Sequence, residues 1–345
     1  MEYKEMKIKK SLTYFVNITL VFLAMTLIAA CSTNPVSGKK DFSLISKDQE
    51  LAMGAQAHKS ILKQSKRLNN PRLQAYVNNI GQLLASKSHR NNIPYKFTIL
   101  EDPSVNAFAL PGGYIYITTG LMAYLNSEGE LAGVLGHEIG HVTARHGAQQ
   151  QSAGLASAIL LEILSKKAGA NTSKSLGQLS TALIRGYGRE HELQADKLGA
   201  EYLARVGYSP NNMLDVISVL KAQEEFSKYQ ARREGRQPPS YHGVFSSHPS
   251  NDKRLQTVIN AAKKIRSAGT RNANHDGYLR QINGLKYRID KHRTGRIAIS
   301  QASTRGLTYA QLARRSLVNE QRLRLLNGQF PNGEPVTGRL VKIVE

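Results

Sequence analysis

The protein has 345 residues, a formal net charge of +22 at pH 7 and a single cysteine. One cysteine excludes an intrachain disulfide framework, and the length is sufficient for two domains. Positive charge is concentrated near the C-terminal end, because residues 253–345 contain 19 Lys and Arg against 5 Asp and Glu.

Residues 1–30 have the organisation of a secretory signal peptide, with a basic start and an apolar stretch that ends at Ala30. The segment Ile28–Cys31 resembles a bacterial lipobox, which implies cleavage before Cys31 and attachment of lipid to its thiol. The alternative is an uncleaved anchor helix, since the apolar stretch is long enough to span a membrane. The residue directly after Cys31 is Ser32 rather than Asp, which by the same resemblance implies sorting to the outer membrane. Residues 31–46 are then a lipidated tether.

The next segments predict helices and a small sheet. Apolar periodicity predicts amphipathic helices over 47–65 and 71–88, the second with Asn70 and Pro71 as its cap and first-turn residue. Alternating or apolar runs predict strands near 95–100, 107–110 and 114–118, and a Pro-Gly-Gly turn joins the last two.

The segment His137–His141 is an H-E-x-x-H motif. Ser127 is a suitable N-cap for a helix through this segment. Because residues four apart lie on one helical face, His137 and His141 can bind one Zn²⁺ ion, with Glu138 beside it as the base for an attacking water. The alternative is a pair of helical histidines that only hydrogen-bond in a core.

Catalytic zinc sites have three protein ligands and one open position. The metzincin spacing fails, because Ala144 and Gly147 stand where that pattern has Gly and His. A helix over 189–205 instead places Glu192 and Asp196 on one face with two small residues. Glu192 is therefore the expected third ligand, favoured over Glu190, which points about 200° away at helical pitch.

Asp196 lies one helical turn beyond Glu192 and is expected to accept the second ring N–H of a ligand histidine. The alternative is an ordinary surface carboxylate that pairs with Arg189 or Lys197.

These motifs together resemble one known family. The extended pattern H-E-x-x-H-x-x-x-R-H at 137–146, with E-x-x-A-D at 192–196, is similar to the membrane-associated zinc endopeptidases, which include the CaaX prenyl protease, HtpX and the BepA-like periplasmic quality-control proteases. Segments 106–117 and 247–254 match as well. The resemblance implies a mostly helical α+β, zincin-like domain over 47–266, a small sheet beside the motif helix, and one Zn²⁺ per chain. It also implies polypeptide substrates, namely unfolded or misassembled envelope proteins, with the soluble BepA-like branch favoured.

In zincins an edge strand beside the active-site helix holds the substrate backbone. The candidates here are the segment from Asn106 and Ala107, or the second hairpin strand, which begins at Tyr114; a plain core hairpin is the alternative. His248 lies in a predicted loop and has two expected catalytic roles, bonding to an oxyanion or occupying the open zinc position in a resting state. A satisfied loop histidine is the alternative. Arg254 is expected either to orient a carboxylate of the site or to be structural.

The apolar run 153–164 is too short to span a membrane and predicts a core helix or a lid over the cleft. After a linker at 267–276, residues 277–345 loosely resemble a LysM-like α+β module, which implies peptidoglycan binding; a packing appendage is the alternative. In an exported protein, the basic surface of this module favours anionic envelope polymers over nucleic acid as binding partners. The alternative is a solvated basic surface with no specific partner.

The sequence thus predicts a zinc metalloendopeptidase of the bacterial envelope, an outer-membrane lipoprotein facing the periplasm, active in protein quality control. Two alternatives remain: a chaperone or assembly factor for outer-membrane proteins in which cleavage is secondary, and a cell-wall hydrolase.

Overall fold

The computed structural model describes residues 31–36, 38, 40–155, 157, 188–237, 254, 256–260, 271–302 and 306–345. The α-helices with both ends in these ranges are Lys47–Gln64 (α1), Pro71–Ser86 (α2), Thr119–Tyr124 (α3), Glu128–Thr143 (α4), Arg189–Arg205 (α5), Asn212–Arg233 (α6), His275–Ile282 (α7), Tyr309–Ala313 (α8) and Glu320–Leu326 (α9). The strands are Cys31–Thr33 (β1), Lys40–Phe42 (β2), Lys96–Leu100 (β3), Ala107–Leu110 (β4), Tyr114–Thr118 (β5), Lys286–Arg288 (β6), Thr294–Gln301 (β7) and Leu340–Val344 (β8).

Several sequence expectations lie outside these ranges. The predicted signal peptide, most of the apolar run 153–164 and the candidate residue His248 are among them. Cys31 begins β1, which pairs antiparallel with β2 inside the segment predicted as a tether. No helix of the described ranges has the length and apolarity that a membrane crossing requires.

The motif helix α4 lies at the centre of the fold. Ser127 caps it by accepting a hydrogen bond from the Glu130 backbone N–H, and acidic residues in its first turn complement the helix dipole. Every residue from Gly129 to Thr143 is buried, because α2, α5, α6, α7 and β4 all pack against α4. A helix enclosed in this way holds its side chains in fixed positions.

Glycine at position 140 permits the close approach of α4 and α5. A Cβ atom there would lie 2.9 Å from the carbonyl oxygen of Ala195 and 3.1 Å from its Cα. The two helices therefore pack backbone against backbone where they cross, which brings side chains from both helices to one point.

A three-stranded sheet in the order β3-β5-β4 lies beside these helices. β3 pairs parallel with β5, and β4 pairs antiparallel with β5. β5 is therefore the central strand, and β4 is the edge strand that packs against α4.

Residues 275–345 share one apolar core with the rest of the described chain. Their sheet has the order β6-β7-β8, and residues 294–344 run strand, helix, helix, strand. The buried Nζ atom of Lys342 in β8 donates hydrogen bonds to the carbonyls of Ala123 in α3 (2.9 Å) and of Leu125 directly after α3 (2.8 Å), shortly before α4 begins. Tyr278 likewise donates to the carbonyl of Met122. The segment boundary expected near residue 276 thus does not separate two cores.

Candidate metal centre

His137 and His141 project from one face of α4 towards Glu192 on α5. Their Nε2 atoms are 3.0 Å apart. The two carboxylate oxygens of Glu192 lie 3.5 Å from His137 Nε2 and 3.4 Å from His141 Nε2. All three side chains are buried, so the three donor groups predicted from the sequence face one another away from bulk solvent.

The spacing and chemistry of these groups fit a metal ion. Tetrahedral zinc, with bonds of about 2.0–2.1 Å, places neighbouring ligand atoms roughly 3.3 Å apart, which agrees with the separations seen here. Burial alone would lower the pKa of His137, yet hydrogen bonds and proximity to Asp196 and Glu192 raise it to about 10. A buried site that favours a cation so strongly, with two imidazoles and a carboxylate, suits zinc.

Asp196 and Arg254 support the first ligand. Asp196 Oδ1 lies 2.8 Å from His137 Nδ1, the ring nitrogen that faces away from Glu192. Arg254 donates to both Asp196 oxygens at 2.7 Å and lies 3.1 Å from Glu192 Oε2. Although burial disfavours the charged carboxylate, Arg254 holds the pKa of Asp196 below its usual value. Asp196 therefore accepts the His137 N–H as an anion, and Arg254 orients both acids.

His146 and Gln194 support the second ligand, which the sequence reasoning did not foresee. His146 Nδ1 lies 2.8 Å from His141 Nδ1, and His146 Nε2 lies 2.9 Å from Gln194 Oε1. The His146 ring also stacks on His191, with centroids 4.2 Å apart. Burial lowers the pKa of His146 to about 3. The only sequence signal was the position of this histidine in the extended motif.

Arg145 explains how His146 reaches His141. Its backbone has φ of +60°, a left-handed conformation that ends α4 and turns the chain back. Arg145 donates to Glu50, which also accepts a bidentate pair of hydrogen bonds from Arg90. This buried ion group fastens the end of α4 to α1.

Glu138 lies on α4 between the two ligand histidines and is 2% exposed. Beside it is a small, mostly apolar cavity of about 20 Å³, which has room for about one water molecule. Its apolar lining comes from β4, α3, α4 and α6, through Ala107, Leu121, Val134, Met213, Val216, Ile217 and Leu220. Glu138 is therefore next to both the candidate metal ligands and a small cavity with apolar walls.

The strand order corrects one expectation for substrate binding. Tyr114 begins β5, whose two sides pair with β3 and β4, so β5 has no side left for an added strand. Strand order depends on tertiary packing, which the alternation of residues does not encode. The other candidates fit, because Ala107 begins the edge strand β4 and lines the cavity beside Glu138, and Asn106 directly precedes it.

Comparison with known proteins agrees with this geometry. A family model described as peptidase family M48 matches residues 71–262. The beta-barrel assembly-enhancing protease of Escherichia coli K12 is 30% identical over 273 residues, covering 75% of this chain and 54% of the relative. The protease of that name from Yersinia pestis is 31% identical, covering 73% and 51%. The mitochondrial metalloendopeptidase OMA1 of Arabidopsis thaliana is 30% identical, covering 62% and 42%.

This chain spans about half of the length of the two bacterial relatives. The matched region contains α4 and α5 entire, and with them all three metal-ligating candidates and Glu138. Since the family model covers more than half of the chain, the chain belongs to peptidase family M48, the metallopeptidases.

Proposed function

We propose that this protein is a zinc-dependent endopeptidase that hydrolyses unfolded or misassembled proteins of the bacterial envelope. The observation that carries the proposal is the buried triangle of His137, His141 and Glu192, with Glu138 beside it. No nucleophilic side chain is required, because the attacking group is a water molecule.

Each residue of the site has a distinct part in hydrolysis. His137, His141 and Glu192 hold zinc, which when bound polarises the scissile carbonyl and makes water more acidic. Glu138 accepts the proton of the attacking water and delivers it to the leaving amine. Arg254 forms ion pairs with Asp196 and Glu192, which offsets the cost of burying the two acids and holds them in place.

The edge strand β4 supports the choice of substrate class. An extended peptide can pair with β4 as an added strand, which aligns its backbone along α4 beside Glu138. Unfolded chains present such extended segments far more often than folded proteins do. The small apolar cavity lined by Ala107 and Glu138 then lies next to the position of the scissile bond.

The cellular setting follows from the sequence. The basic and apolar residues at the start of the sequence support export, and the lipobox-like segment that ends at Cys31 supports attachment of lipid. We expect the protein to be anchored in the outer membrane and to act on the side that faces the periplasm. The basic C-terminal part, with its strand-helix-helix-strand order, supports contact with peptidoglycan or anionic envelope polymers. The names of the bacterial relatives favour a role in beta-barrel assembly.

The test combines zinc content with cleavage of casein. Glu138→Gln should retain stoichiometric zinc and lose cleavage, because it removes the base and keeps the ligands. Glu192→Ala should lose both. Stoichiometric zinc in Glu192→Ala would disprove the ligand assignment.

Envelope assays separate the two alternative functions. If cells that carry only Glu138→Gln assemble outer-membrane proteins normally, the cellular role is that of a chaperone in which cleavage is secondary. If the purified protein releases peptide stems from peptidoglycan and leaves casein intact, it is a cell-wall hydrolase.

A further inference from the structure

The second ring nitrogen of His141 makes an unusual contact for a metal-binding histidine. Its partner is the Nδ1 atom of another imidazole, His146, at 2.8 Å. Both side chains are buried, at 1% and 0% exposure. Because two ring nitrogens hydrogen-bond only if one carries a proton and the other a lone pair, this contact has a direction.

Gln194 decides that direction. Its Oε1 atom lies 2.9 Å from His146 Nε2, and a carbonyl oxygen only accepts hydrogen bonds. His146 Nε2 therefore carries the proton, and His146 Nδ1 offers its lone pair to the His141 Nδ1–H. The Nε2 atom of His141 is left with a lone pair that points towards His137 and Glu192.

We propose that Gln194 and His146 are positioning residues that hold His141 in the one tautomer able to bind the metal. The inference rests on the metal binding proposed above. The reverse chain, with the Gln194 amide donating, would put a proton on His141 Nε2, 3.4 Å from Glu192, and would block the metal.

The two histidine ligands are thus supported by different chemistry. His137 faces the anionic Asp196, whose charge Arg254 balances. His141 faces a chain of side chains that adds no negative charge to the buried site. Gln194 at the end of that series is only partly buried, so an acceptor there keeps contact with solvent whether it is an amide or a carboxylate.

The hydrogen-bonded series His141–His146–Gln194 also links the placement of the metal ligands to the packing of α5 on α4. Glu192 and Gln194 belong to the same helix, α5, and His146 directly follows the turn at Arg145 that ends α4. When α5 packs on α4, it brings the third ligand and the acceptor that orients the second ligand in one step.

The experiment measures zinc affinity by competition with a chelator, using the full chain. Gln194→Met removes the acceptor at similar length and should weaken zinc binding by about 10–100-fold, the effect typical for a lost ligand-orienting partner. Gln194→Glu keeps an acceptor and should restore most of the affinity. Gln256→Met, at an exposed glutamine, is the matched control and should bind zinc as the unchanged protein does.

Nitrogen NMR of the metal-free protein gives a second readout that a purely structural role would not produce. In the unchanged protein His141 should carry its proton on Nδ1. In Gln194→Met this preference should be lost, while the melting temperature stays close to that of the unchanged protein. The proposal is overturned if Gln194→Met binds zinc as tightly as the unchanged protein, or if Gln194→Glu is as weak as Gln194→Met. Normal zinc binding without peptide cleavage would instead refute the proposed function and leave this inference intact.

Discussion

The crossing of α4 and α5 makes Gly140 a sensitive position for the metal site. In Gly140→Ala the new Cβ would lie 2.9 Å from the Ala195 carbonyl oxygen, whereas ordinary contact begins at 3.4 Å. The new Cβ meets the backbone oxygen and Cα of Ala195, so no side chain can move aside to make room. The helices must separate by about 0.5 Å, the difference between those two distances, if overpacking is to be relieved.

A separation of this size is large for a metal site, where bond lengths vary by only about 0.2 Å. Glu192 moves with α5, while His137 and His141 stay on α4. Overpacking costs about 1–3 kcal/mol, against about 1 kcal/mol gained when Ala replaces Gly in a helix. We expect a small loss of stability in the metal-free protein and zinc binding weaker by roughly tenfold, which corresponds to about 1.4 kcal/mol.

The assay is zinc competition together with thermal unfolding of the metal-free protein. Gly136→Ala is the control on the same helix, because its Cβ would lie 3.3 Å from the Gly199 carbonyl oxygen and 3.4 Å from its Cα. It should bind zinc normally. The reasoning is refuted if Gly140→Ala binds zinc as tightly as Gly136→Ala.

Three further predictions concern stability. Glu50→Ala leaves the guanidinium groups of Arg90 and Arg145 buried without their carboxylate, and urea denaturation should show a loss of about 3–5 kcal/mol. Burial lowers the pKa of Lys342 to about 7, from 10.5. At a pH between these two pKa values, Lys342 is protonated in the unfolded chain and neutral in the folded one. The free energy of unfolding should therefore rise with pH in this range, by up to ~1.4 kcal/mol per pH unit. Lys342→Met should abolish that rise in urea titrations across the window. Removal of metal by a chelator should lower the melting temperature of the unchanged protein but not of Glu192→Ala, because only the former has bound zinc to lose.

Each of these predictions has a contrary result. A urea midpoint for Glu50→Ala equal to that of the unchanged protein would show that the buried ion group does not stabilise the fold. Lys291→Met, at an exposed lysine, should keep the pH dependence that Lys342→Met loses. A chelator effect of equal size in Glu192→Ala would mean that metal binds elsewhere.

The sequence was most informative where local rules decide the structure. Helical spacing predicted that His137 and His141 share one face of α4 and that Glu192 and Asp196 share one face of α5, and the structure brings these residues together. The bounds of β4 and β5 agree with the predicted strands, because Gly112 and Gly113 permit the positive φ angles of the turn between them.

Features that depend on tertiary packing were not predictable. The central place of β5 results from its pairing with β3, a strand that precedes the hairpin along the chain. The place of His146 beneath His141 results from the left-handed backbone at Arg145, a conformation uncommon for residues other than glycine. The basic C-terminal segment suggested a separate module, yet Lys342 is buried against the turn before α4.

The hydrogen bonds of Lys342 bear on the order in which α4 gains its support as the chain is made. The carbonyls of Ala123 and Leu125, just before α4, receive their partner only when residue 342 has been added. A chain made as far as residue 300 already contains every candidate metal ligand but lacks these two hydrogen bonds. Residues far along the sequence therefore complete the packing around a site whose own residues are made much earlier.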